Sequence, residues 1–123
     1  MTRRSRSGRL CGLWEDADAG LLTGTMGRAQ WRVRPAPGQA ENQPSHLLEL
    51  GPRMTARGAA RGEAAADDRL YVLVAGLREK VGAYGPELSG RLDKLTWVRV
   101  RPNRYRSHEK QPAYFLSFEG DDW

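Results

Sequence analysis

Short runs of alternating apolar and polar residues recur along this chain, and clusters of Gly, Pro and acidic residues separate them. Alternation with a period of two marks a strand with one buried face. The pattern predicts strands at Leu10 to Trp14, Leu21 to Met26, Gln30 to Arg34 and Ser45 to Leu50. Glu15 to Gly20 reads as an acidic turn, and Pro35 and Pro37 close the third strand because proline cannot donate to a ladder. A second set follows at Leu70 to Leu77, Leu88 to Leu92, Thr96 to Arg101 and Ala113 to Glu119, with a turn over Gly82 to Pro86. The apolar run from Leu70 could also be a buried helix, above all if Ala64 to Lys80 is continuous. Tyr71, Val72 and Val74 favour the strand.

The two sets share a pattern. Gly12-Leu13-Trp14-Glu15, Leu22-Thr23-Gly24, Arg32-Val33-Arg34-Pro35 and Gln43-Pro44 recur as Gly76-Leu77-Arg78-Glu79, Leu88-Ser89-Gly90, Arg99-Val100-Arg101-Pro102 and Gln111-Pro112. The offset grows from 64 residues (12 to 76) to 68 (43 to 111), as small loop insertions would produce. One structural unit used twice is the expectation. The predicted fold is therefore all-β and mostly antiparallel, two units of about four short strands sharing one barrel- or sandwich-like core. Its divisions are a basic arm (1–9), a first unit (10–51), a mobile linker with at most a short helix (52–69), a second unit (70–119) and an acidic tail (120–123).

Alternation also orients the strands. Unpaired arginines are costly to bury, so Trp31 and Val33 point inward while Arg32 and Arg34 point outward. In the second unit Val98 and Val100 take the inward positions. Trp97, Arg99 and Arg101 then share the outer face. His46, Leu48 and Leu50 align with Tyr114, Leu116 and Phe118 as inward stripes, which leaves Phe115 outside without a core slot.

Charge sharpens this picture. The 123 residues carry a net charge of +5 at neutral pH, which favours polyanionic partners; Arg richness from a biased coding composition would give the same surplus. From Arg99 to Lys110 there are five basic residues and one acidic, whereas the matching loop Pro35 to Gln43 has no basic residue and one Glu. An arginine-rich strand and loop bearing Trp97 and Tyr105 has the parts of a single-strand platform: guanidinium groups follow phosphates and rings stack on bases. Candidate nucleic-acid-binding residues are Trp97, Arg99, Arg101, Arg104, Tyr105, Arg106 and Lys110. The alternative is a protein-interaction or assembly module, including a homo-oligomer, in which Trp97 and Phe115 pack on a partner.

Other chemistries find little support. The acidic residues fall in turns (Glu15, Asp16, Asp18) and at the tail (Glu119, Asp121, Asp122), His46 is core-facing, and His108 sits in a basic loop. Cys11, the one cysteine, reads as a buried structural thiol and points to a reducing compartment. Gly24, Gly27, Gly82 and Gly85 do not follow a phosphate-loop spacing. The expectation is a non-enzyme with no cofactor and no metal. Lacking an 18-residue apolar run or a secretory leader, it should be cytoplasmic and make no use of a membrane.

Ala40-Glu41-Asn42-Gln43-Pro44 and Glu109-Lys110-Gln111-Pro112-Ala113-Tyr114, with the Gly-Leu openings and the Leu-Thr/Ser-Gly turns, resemble the short bacterial, plasmid and phage proteins grouped as domain-of-unknown-function 736. The chain departs from that pattern at Ser45 and Ala113, where the family has Asp after the proline, and at Arg78, where it has Trp. The resemblance implies a β-rich protein in a mobile-element setting and supplies no mechanism.

Overall fold

The computed structural model describes residues 10–16, 20–27, 29–38, 42–52 and 71–120. Eight strands run in chain order: β1 (Leu10–Asp16), β2 (Leu21–Met26), β3 (Ala29–Pro35), β4 (His46–Pro52), β5 (Val72–Gly82), β6 (Gly85–Arg91), β7 (Thr96–Pro102) and β8 (Tyr114–Gly120). Each pairs antiparallel with the next, and β8 pairs with β1 to close a barrel. Closure leaves no free edge. The expected basic arm, almost all of the expected linker and residues 121–123 lie outside the described residues.

Several boundaries differ from the sequence expectation. Glu15 and Asp16 belong to β1, paired with Leu22 and Leu21, and not to a turn. Acidic residues are depleted in strands, but here they occupy a barrel end that opens to solvent. The second apolar run is strand and continues to Gly82, so the turn there narrows to Ala83 and Tyr84. Leu92, expected in a strand, lies in the β6–β7 connection.

The pairing registers of the two halves coincide. Trp14↔Thr23 matches Arg78↔Ser89, Thr23↔Arg32 matches Ser89↔Arg99, and Arg32↔Glu49 matches Arg99↔Ser117. The junctions match too: His46↔Leu77 between β4 and β5 corresponds to Tyr114↔Leu13 between β8 and β1. One departure is a bulge in β5, where Leu48 faces Ala75 but Glu49 faces Leu73.

β1 and β5 are the corners of the barrel. β1 pairs with β8 up to Leu13 and with β2 from Trp14; β5 pairs with β4 up to Leu77 and with β6 from Arg78. At each corner two backbones nearly touch. A Cβ on Gly24 would lie 2.0 Å from the Gly12 carbonyl oxygen, and one on Gly90 would lie 2.1 Å from that of Gly76. Only glycine permits this approach.

An eight-stranded barrel has an interior that side chains can fill. Leu13, Leu48, Leu77, Leu116, Val33, Val98, Val100 and Cys11 are fully buried there, each aliphatic contributing about 1.5–3 kcal/mol. The inward orientation expected for Trp31, Val33, Val98 and Val100 is the one observed. Trp31 stands where the second half has Val98, and Phe118 stands where the first half has Leu50. The two rings meet with centroids 5.2 Å apart, so each half supplies one large residue to this end of the core.

Candidate nucleic-acid interface

β7 alternates as the sequence requires: Thr96, Val98 and Val100 are buried while Trp97, Arg99 and Arg101 are exposed. Trp97 retains 38% of its surface, and the Arg91 guanidinium stacks on its ring at 4.7 Å. Arg91 is the residue opposite Trp97 on β6. The tight connection between them is held by Asp93, whose carboxylate accepts the Leu95 N–H at 2.8 Å and the Thr96 N–H at 2.9 Å. These bonds, the one from Leu95 foremost, hold the Asp93 carboxyl below its ordinary range.

Arg101 lines a groove of about 550 Å³ together with Arg104, Tyr105, Tyr84, Asn103 and Phe115. Tyr84 and Tyr105 are both exposed, and the Arg104 guanidinium lies 5.2 Å from one ring and 4.7 Å from the other. It also donates to both hydroxyls, at 3.1 Å to Tyr84. Asn103 shapes the loop by accepting the Tyr105 N–H at 3.1 Å and donating to the Pro112 carbonyl at 3.0 Å. The groove thus holds guanidinium groups beside aromatic faces.

The charge of this surface is set by the neighbouring strands. Arg99 meets Glu119 at 3.0 Å; Arg101 reaches Glu119 at 3.8 Å and Glu87 only at 4.0 Å. The two arginine side chains remain 45% and 48% exposed. Exposed pairs of this kind contribute little, ~0–1 kcal/mol, and leave both arginines available to another anion.

Of the seven residues proposed from sequence, Arg101, Arg104 and Tyr105 share the groove, and Arg99 adjoins it in a smaller depression with Lys80 and Ser89. Trp97 lies further along β7. Arg106 turns away: it sits 3.5 Å from Glu15 on β1, and its other nitrogen donates to the Glu109 carbonyl. The Lys110 carbonyl accepts the Trp14 indole N–H at 3.0 Å, which anchors that end of the loop on β1. Neither Arg106 nor Lys110 lines the groove. Phe115 does, as its lack of a core slot foretold.

Tyr84 and Arg91 were missed. Tyr84 looks like a turn residue, and only the hairpin register brings it to Arg104. Arg91 becomes visible once β6 and β7 are paired, because it then faces Trp97.

No family model matches the chain, and no curated protein or solved structure matches it. No described helix is long and apolar enough to cross a membrane, and among the described residues no group of three or more His, Cys, Asp or Glu could hold a metal ion.

Proposed function

We propose that this protein is a non-enzymatic nucleic-acid-binding accessory protein that prefers single strands and uses the outer face of β6, β7 and β8. One observation carries the reading. Arg99 and Arg101 stay half exposed although Glu119 and Glu87 stand near them, and they lie beside a groove walled by Tyr84, Tyr105 and Phe115. Phosphates would follow Arg99, Arg101 and Arg104, while bases stack on Tyr105 and on Trp97. A single strand suits this surface better than a duplex, because the exposed rings of Tyr105 and Trp97 can stack only on bases that are free of a duplex stack. The motif resemblance adds a bacterial or mobile-element setting to the proposal, and cytoplasmic residence belongs with it.

The second reading is a protein-interaction module. It draws on the exposed apolar side chains Leu95, Trp97, Tyr84 and Tyr105, which a partner could cover.

A titration separates the two. Tryptophan fluorescence is followed while an oligothymidylate is added at two salt concentrations. Quenching that weakens with salt, disappears in Trp97→Ala and diminishes in Arg101→Ala supports nucleic-acid binding. No quenching at low salt removes that reading and leaves the protein partner.

A further inference from the structure

We propose that the open end of the barrel bounded by the β1–β2 and β5–β6 hairpins is a second site, which binds a small organic cation with a compact apolar body. The site is a cavity of about 330 Å³ whose floor is Leu22, Val33 and Leu88. That volume lies at the small end of the range for ligand pockets, and barrel mouths are a favoured place for them.

Strand parity decides what points into it. Glu15 lies two residues beyond Leu13 and Glu79 two beyond Leu77; both leucines are fully buried, so both glutamates face the barrel axis. They occupy corresponding places in the two halves, paired with Leu22 and Leu88 respectively. Both line the cavity, as do Asp16, His46 and Tyr114. The Tyr114 phenol, which lines the same cavity, is held above its ordinary range, first by burial and then by the fields of Glu15 and Glu79. It is therefore a protonated donor at neutral pH. The His46 ring is engaged by the Ser45 hydroxyl at 3.0 Å.

Compensation of the two glutamates is weak. Arg106 reaches Glu15 at 3.5 Å, where the Glu15 side chain is 58% exposed. No ion pair is observed for Glu79 among the described residues. A protein of net charge +5 thus keeps inward-facing carboxylates above an apolar floor. An ammonium or guanidinium group at the rim would satisfy the carboxylates while its apolar portion covers Leu22, Val33 and Leu88. An anion would meet like charge, and a neutral apolar ligand would gain only the floor.

This site is independent of the nucleic-acid face, and its test is separate. The methyl resonances of Leu22 and Leu88 are followed by NMR while 2-phenylethylamine, its neutral analogue 2-phenylethanol, or phenylacetate is added. The amine should shift those methyls in the millimolar range or below, the alcohol should bind about tenfold more weakly, and the acid should leave them unmoved. Glu79→Gln should cost the amine about tenfold while leaving the alcohol unchanged, and Glu15→Gln should act in the same direction. Arg101→Ala should not alter amine binding. Equal affinity for amine and alcohol, no methyl shift with amine, or an unchanged amine affinity in both Gln variants would overturn the proposal.

Discussion

The two halves of this barrel share their strand registers and differ in what they do with two outward arginines. In the first half, Arg32 and Arg34 both bind Glu49, at 2.9 and 2.7 Å, and Glu49 is only 7% exposed. The β5 bulge gives Glu49 a partner in Leu73, and Tyr71, just ahead of β5, lays its ring 3.9 Å from the Arg32 guanidinium. In the second half the residue opposite Arg99 is Ser117, which offers no charge, so Arg99 and Arg101 lean on the more exposed Glu119. The β2–β3 hairpin pairs Thr25 with Gln30, where β6–β7 pairs Arg91 with Trp97. One scaffold thus carries one face whose arginines are drawn tightly onto a buried carboxylate and one whose arginines stay about half exposed beside the looser Glu119 and Glu87. The position of Glu49 accounts for most of the contrast.

The largest effects should come where the halves are most alike. Gly24→Ala and Gly90→Ala each drive a methyl group into a backbone carbonyl, and each should lower unfolding stability by about 3 kcal/mol. Similar losses in denaturant titrations would show that the corners are equivalent. A large loss at one site alone would break the equivalence.

Next come the carboxylate positions. Glu49→Ala removes the carboxylate that Arg32, 17% exposed at its side chain, shares with Arg34 and should cost about 2 kcal/mol. Ser117→Ala, at the corresponding place, should cost less than about 1 kcal/mol. Equal losses would mean that Glu49 does not hold the arginines of the first face in the way described.

The smallest effect concerns the hairpin that carries Trp97. Asp93→Ala removes two bonds to backbone N–H groups and should lower Tm at neutral pH by about one or two degrees. Because the folded-state carboxyl titrates below its ordinary value of 3.8, its contribution is present above that value and is lost as pH falls through the lowered one. The Tm difference between the wild type and the variant should therefore vanish in strong acid. A difference that persists there would assign the effect to packing.

Much of the fold was legible because each duplicated motif carries a strand instruction. Gly-Leu-x-Glu marks a corner strand, and Arg-Val-Arg-Pro marks a strand with apolar residues in and arginines out. The outward placement of Trp97 follows from that parity. What escaped were relations across strands. Glu15 and Asp16 read as a turn because their composition suggests one, while their pairing with Leu22 and Leu21 makes them strand. Arg106 and Lys110 were grouped with the basic face by their position in the chain, but the turn at Asn103 sends Arg106 toward Glu15. The acidic mouth was hidden for the same reason. Glu15 and Glu79 are distant in sequence and come to line one cavity only when the barrel closes.

The central claim is that the open charge of the second face binds nucleic acid, and it is tested by moving the carboxylate. Anisotropy of a labelled oligothymidylate should be measured against salt for the wild type, Ser117→Glu and Arg34→Ala. Ser117→Glu recreates beside Arg99 and Arg101 the arrangement that Glu49 imposes on the first half, and it should weaken binding about tenfold at low salt while flattening the salt slope. Arg34→Ala should leave both unchanged. Unaltered affinity in Ser117→Glu, or an equal loss in Arg34→Ala, would contradict the account.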